Sequence, residues 1–181
     1  MAFLEHDLGG GAALALRDLG TVAEMQRLTV ANLERLRRWE DWAHGDQTEE
    51  ASRAYTRVQL AGFAEGRTLP LAILQDGVVV GSLGARVDLQ RETAELGYWI
   101  DAAAEGRGLV TRAVLAVVEH LVTDRGVHRF EIRTAVHNRR SRAVAERCGF
   151  ELEGVLHGAF RVGRERHDVA LYGRTAHPGR P

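Results

Sequence analysis

Cysteine occurs once in the 181 residues, at Cys148, so no internal disulfide framework can brace this chain. Lysine does not occur: the 24 basic side chains are all arginine. The lysine-serine pair of a Walker phosphate loop is therefore missing. Neither sign of charge is in excess. The formal net charge of −1 argues against broad nucleic-acid binding, which needs a basic surplus. No apolar run is long enough to span a bilayer, so no membrane partner is expected. The N-terminus carries Glu5 and Asp7 and no basic stretch, unlike a secretory signal. The eight histidines are scattered without ligand spacing, and no metal is expected. What remains is an ordinary composition, 45% hydrophobic and 27% charged, at a length that fits one domain with one core. A soluble, cytoplasmic protein is the default expectation.

The most informative stretch runs from Glu95 to Thr111. Glu95 to Ile100 reads as a strand with one charge in it. Gly106 and Gly108 remove two side chains where backbone would approach a ligand. From there Val110, Val114, Val117 and Leu121 fall at helical spacing. A helix start behind a glycine turn presents unpaired N–H groups and the positive end of the helix dipole, which suits phosphate. The dinucleotide fingerprint is not met, because its third glycine position holds Thr111. A phosphate-bearing ligand of another kind is expected.

Around this stretch the pattern alternates. Leu8 to Gly11 reads as a flexible lead-in and Ala13 to Arg17 as a first strand. Thr21 to Trp39 has helical spacing at Met25, Leu28, Leu33 and Leu36, with Thr21 and Glu24 forming a capping box. After a tryptophan-rich loop, Thr48 opens a second helix to about Glu65, with Glu49 and Glu50 in its first turn. Leu69 to Leu74 and Val78 to Leu83 flank Asp76-Gly77, a hairpin signal. Ala94 to Ile100 is a strand, Val110 to Asp124 the main helix, Arg129 to Val136 a strand and Ser141 to Cys148 a short helix. Glu151 to Val162 and Arg166 to Arg174 form a late hairpin around Gly163. Residues 176–181 read as a frayed tail, leaving a core of about 10–175. This is a mixed α/β pattern.

Several segments together resemble a known family. They are Gly97-Tyr-Trp-Ile100, Glu105-Gly-Arg-Gly-Leu109, Asn138-x-x-Ser141-x-Ala-Val144, Glu146-Arg-Cys-Gly-Phe150, Glu153-Gly154, and His167-Asp168 with Tyr172. In this order and spacing they resemble the GNAT superfamily of acyl-CoA-dependent N-acyltransferases, and its RimJ/RimL branch above others. The resemblance implies a single α/β domain of GNAT fold, with a mixed, strongly twisted central sheet flanked by helices and splayed open beside the cofactor. It implies acetyl-CoA as donor and a primary amine as acceptor: the N-terminal amine of a protein or peptide of the ribosomal-protein type, or a small-molecule amine or antibiotic. A homodimer is also implied. Phe160 stands where some RimL-like members carry an acid, which leaves open a member that binds acyl-CoA as a sensor without turnover.

The resemblance also implies roles. Gly106, Arg107, Gly108, Leu109, Val110 and Thr111 would form the diphosphate site. The backbone at Trp99 and Ile100 would pair with the pantetheine arm, Asn138 would hold one of its amides, and Arg142 would reach a phosphate. Ser141 would protonate the departing thiolate. Arg107 and Arg142 as solvated arginines, Ser141 as a first-turn serine and Asn138 as an N-cap are the plainer readings. Glu95 is the expected general base, or the residue that orients a water doing that work. Strand alternation puts Glu95, Gly97 and Trp99 on one face, and a lone carboxylate on an apolar strand is costly unless used or paired. A salt bridge to an arginine on a neighbouring strand is the alternative. Trp39, Trp42, His44 and Tyr98 would line the acceptor site, core packing being the alternative for the tryptophans. His157, which could titrate near neutrality, would join them, a partly exposed structural histidine being the alternative. Asp168 and Tyr172 would organise the late strands, and Cys148 reads as a buried thiol rather than a nucleophile.

Overall fold

The computed structural model describes residues 5–176. Eight strands form one sheet: β1 (Glu5–Gly9), β2 (Ala12–Leu16), β3 (Thr68–Gln75), β4 (Val78–Asp88), β5 (Thr93–Ile100), β6 (Arg129–Ala135), β7 (Glu151–Val162) and β8 (Glu165–Thr175). Their spatial order is β1-β2-β3-β4-β5-β6-β8-β7. All neighbours are antiparallel except β5 and β6, which are parallel and joined by the helical crossover that parallel strands require. The helices are α1 (Val22–Ala31), α2 (Leu33–Leu36), α3 (Glu49–Ala64), α4 (Leu109–Arg125) and α5 (Arg139–Arg147).

Alternation along the strands sorts the two faces. Leu14, Leu71, Leu83, Ala85, Leu96 and Ile132 point to one side and pack on Leu109, Ala113, Val114, Val117 and Leu121 of α4, all buried. This is the main core, and it explains the apolar spacing of α4. On the other face Met25 of α1 packs with Ala72 and Val79, and Trp99 covers that smaller cluster.

Three local expectations change. The lead-in at residues 8–11 is no free segment, because β1 pairs with β2 as a hairpin. The first helix is interrupted at Asn32, whose buried side chain donates to Leu28 O and to Asp101 Oδ1 (2.9 Å) and accepts from the backbone N–H of Ala102. Asn32 thereby ties the helix break to the loop after β5. The capping box is absent. Thr21 makes no side-chain cap, and Glu24 accepts instead from the N–H of Val79 at 2.9 Å. Thr48 does cap α3, and Asp76-Gly77 turns the β3–β4 hairpin with positive φ at both residues. Of the expected tail, residues 177–181 lie outside the described residues.

The feature that makes a site is where pairing stops. β5 and β6 are in register only from Thr93–Arg129 to Leu96–Ile132. Beyond Leu96 the two strands diverge, and Gly97 to Ile100 keep hydrogen-bonded partners only on the β4 side. The sheet therefore opens as a V with the β5 edge exposed inside it.

Candidate active site

Backbone geometry builds one end of the opening. Gly106 and Gly108 both take positive φ, +77° and +72°, in the left-handed region that favours glycine. Gly108 caps α4, and space is open around both positions where a Cβ would stand. The N–H groups of Leu109, Val110 and Thr111 thus face outward at a helix start with no intrahelical acceptor. The side chains of Leu109 and Val110 go into the core, so only their backbone serves this end. Arg107 is exposed. The turn is held from outside: Glu105 pairs with Arg35 of the α2 segment and with Arg140 at 2.8 Å. Together these groups make a helix start without a side-chain cap, the arrangement that suits an anion cradle.

At the bottom of the V, β5 meets α5. The Tyr98 hydroxyl donates to the carbonyl oxygen of Ser141 at 3.0 Å, and the Ser141 hydroxyl donates to the Tyr98 oxygen at 3.3 Å. Burial pushes the Tyr98 phenol well above its ordinary range, so it stays a neutral donor. Asn138 caps α5, its Oδ1 accepting from the Ser141 N–H at 3.2 Å. The capping role is filled, and its side-chain amide remains as a donor. Arg142 is committed elsewhere. Its Nε donates to Tyr172 and its Nη1 to the Val136 carbonyl, which braces α5 against β6 and β8 rather than reaching the cradle at α4. The buried Tyr172 in turn donates to Glu146 at 2.7 Å.

From this point a cavity of about 800 Å³ runs between the sheet and α1, α3 and the Trp39–Trp42 segment. Trp39, Trp42, Glu95, Tyr98, Trp99, Asn138 and Ser141 all line it. His44 and His157, expected in the acceptor site, do not. His44 Nε2 donates to the Arg37 carbonyl oxygen, and the ring lies against Gly163. His157 is exposed and pairs with Asp168 at 3.0 Å. Asp168 also accepts from the Gly158 N–H, and with His157 this holds its carboxyl below the usual range while fixing the irregular stretch of β7. Ile100 contributes its backbone at the open edge and its side chain to the core margin.

Glu95 is not a lone acid. Cross-strand register sets it beside Arg86, at 2.6 Å, and Arg133 approaches from β6 at 4.0 Å. The neighbouring-strand salt bridge is the arrangement found. Two groups that the sequence did not single out line the same cavity. Glu40 is half-buried, accepts from the Trp42 indole N–H at 2.9 Å, and has its carboxyl pushed up by burial to about 7. Arg17 is 8% exposed, and burial lowers the pKa of its guanidinium. Neither is findable from periodicity: Glu40 sits in an irregular loop, and Arg17 lies one residue past a strand end. Cys148 is buried, its thiol pushed up to about 11 by desolvation, which leaves it unreactive.

An open parallel strand edge beside a helix-start anion cradle, with a hydroxyl pair at the junction and a deep cavity beyond, defines an acyltransferase that binds an extended, phosphate-bearing thioester. Residues 13–151 match the acetyltransferase (GNAT) domain family, and the chain belongs to that family. The ribosomal-protein-serine acetyltransferase of Escherichia coli strain K12 is 30% identical over 154 residues, 84% of this chain and 86% of that protein. Among solved structures, the ribosomal L7/L12 α-N-protein acetyltransferase RimL in complex with coenzyme A superposes with TM-score 0.91 at 25% identity, covering 93% of this chain and 96% of that one. The microcin C7 self-immunity acetyltransferase MccE, in complex with acetyl-CoA and AMP, does so with TM-score 0.88 at 27% identity, covering 93% and 94%. The chain is an acetyltransferase that takes acetyl-CoA as its acyl donor and an amine as acceptor. Among the described residues no helix is long and apolar enough to cross a membrane.

Proposed function

We propose that this enzyme acetylates the N-terminal α-amine of a protein or peptide in the cytoplasm. The observation that carries the reading is the cavity, which is lined by Tyr98 and Ser141 and by the exposed Trp42 and offers about 800 Å³ to a chain end. Its relatives named for ribosomal proteins support it. A small-molecule amine is the second reading, favoured by the similarity to the microcin-resistance enzyme.

In the proposed reaction the free amine attacks the thioester carbonyl carbon. An N–C bond forms, the C–S bond breaks, one proton leaves the nitrogen and one joins the thiolate. Ser141 supplies the thiolate proton, its hydroxyl turning from the Tyr98 oxygen to the sulfur, and takes a proton back from solvent. The amine proton goes to a carboxylate, and of the three in the cavity lining, Glu40, Asp46 and Glu95, Glu40 suits the step, because a base with a pKa near 7 is both available and strong enough at neutral pH. Glu95 is engaged by Arg86 and Arg133. Gly106 to Thr111 bind the diphosphate, and the free β5 edge at Trp99 and Ile100 pairs with the pantetheine amides as an added strand would. Asn138 contributes its remaining amide donor.

A homodimer also fits. Leu152, Val155 and Leu156 are exposed on β7, an outer strand of the sheet, and sedimentation would report the state. The activity test is mass spectrometry after incubation with acetyl-CoA and two sets of acceptors: peptides with free N-termini and small amines. Acetylation confined to the peptide α-amine is expected. Modification of the small amines alone would replace the first reading with the second.

A further inference from the structure

Arg17 is a cation inside the cavity without an anion. Its Nη2 donates to Ser52 at 3.2 Å, its guanidinium lies 5.1 Å from the centre of the Tyr55 ring, and its buried Nε has no hydrogen-bond partner. No carboxylate of the described residues comes within ion-pair distance of it. The other two arginines of the cavity lining, Arg86 and Arg133, both reach Glu95. A guanidinium stays protonated at all working pH values, and an unpaired buried charge is costly. A ring face and one hydroxyl compensate only part of that cost.

Two glycines lie between Arg17 and the open edge of β5. The Arg17 N–H donates to the Pro70 carbonyl, Pro70 is in register with Gly84, and Gly84 with Gly97. These residues face the cavity, and neither glycine has a neighbour within 4 Å of where a Cβ would stand. Past the buried Pro70, a track without side chains thus crosses β4 at Gly84 and reaches Gly97 at the open edge of β5. Three strand spacings put Arg17 about 14 Å from β5, close to four residues of extended peptide at roughly 3.3 Å each. Reach of the arginine side chain along the track shortens the gap.

We propose that Arg17 is the anion-recognising residue of the acceptor site, and that the preferred acceptor is a peptide whose free N-terminal amine is followed, two to four residues along, by an acidic side chain. The acceptor chain lies over Gly84 and Gly97, with its amine near β5 and its carboxylate on the Arg17 guanidinium. This rests on the peptide reading given above and adds to it the charge of the segment being read.

The test is a scan. Pentapeptide amides with N-terminal serine and alanines elsewhere receive aspartate at the third, fourth or fifth place, each with an asparagine counterpart, and kcat/KM is measured for acetylation. One aspartate peptide is expected to exceed its counterpart by roughly 10-fold or more, the scale of a charge-assisted contact. The preference should disappear in Arg17→Met and persist in part in Arg17→Lys, with acetyl-CoA calorimetry establishing that both variants are folded. No aspartate preference, or one that survives in Arg17→Met, overturns the proposal. Acetylation of none of the peptides would instead overturn the peptide reading. The anion site is then decided without turnover, by titrating CoA-saturated protein with succinate. Binding that Arg17→Met abolishes supports the site, and no binding removes it.

Discussion

Tyr98 donates its phenol hydrogen to the backbone carbonyl of Ser141, not to the Ser141 hydroxyl. The distinction separates two functions at one position. The carbonyl ties α5 to β5 across the place where the sheet opens, and the hydroxyl remains a donor that can turn toward a ligand. Replacing the serine side chain therefore leaves the tie in place.

Ser141→Ala should accordingly keep its melting temperature and its acetyl-CoA affinity while turnover falls by roughly 10-fold or more, the range of a lost general acid. Tyr98→Phe should behave differently. It removes the tie, at a cost of about 1 kcal/mol, and lowers both stability and turnover. Thermal melts and steady-state rates on the two variants read the difference.

Gly108 sits in the left-handed region at the start of α4, so a β-branched replacement there would confound strain with occupancy. Gly108→Asn avoids this, since asparagine tolerates that conformation. Its side chain would stand in the open space over the helix start. The fold should survive, and the acetyl-CoA dissociation constant should rise roughly 10-fold or more if one charge-assisted phosphate contact is lost. Calorimetry on the folded variant gives the answer.

Glu40 has a carboxyl raised by burial to about 7. Its base form accumulates as pH rises through that value, so wild-type kcat/KM should climb between about pH 6 and 8. The acceptor's own amine, ordinarily near 7.7–8.0, adds a second rise. Glu40→Gln should keep only the second and lose turnover throughout. Stability moves the other way. A carboxyl raised in the folded state makes the native protein bind the extra proton, so stability is fully present below its unfolded value of about 4.5 and declines as pH rises to about 7. Glu40→Gln should thus melt higher than wild type at pH 8 and gain little at pH 4.

Glu95→Gln tests the acid that the sequence singled out. It breaks the contact to Arg86 and weakens the one to Arg133, both partly exposed. A loss of about 0–1 kcal/mol is expected, as for other exposed pairs, with a pH–rate profile of wild-type shape. A profile that loses its lower ionisation would return the base role to Glu95.

The sequence by itself determined the elements and their faces. Helical spacing from Val110 and strand alternation through Glu95, Gly97 and Trp99 are local rules of geometry, and both sides of α4 and β5 came out as that spacing requires. The glycine turn at Gly106 and Gly108 was legible for the same reason, because positive φ is a property of single residues. What stands opposite a residue is set by distant chain, and there only the tertiary structure decided. Register across β4 and β5 gave Glu95 its arginine, and Asp101 and Val79 drew Asn32 and Glu24 away from the helix that local spacing had drawn. Packing of α3 on β3 buried Arg17 against Tyr55, while folding of an irregular loop placed Glu40 in the cavity and left His44 outside it. Periodicity fixes a side chain's direction; the charge it meets there is fixed by which strands and helices come to lie beside it.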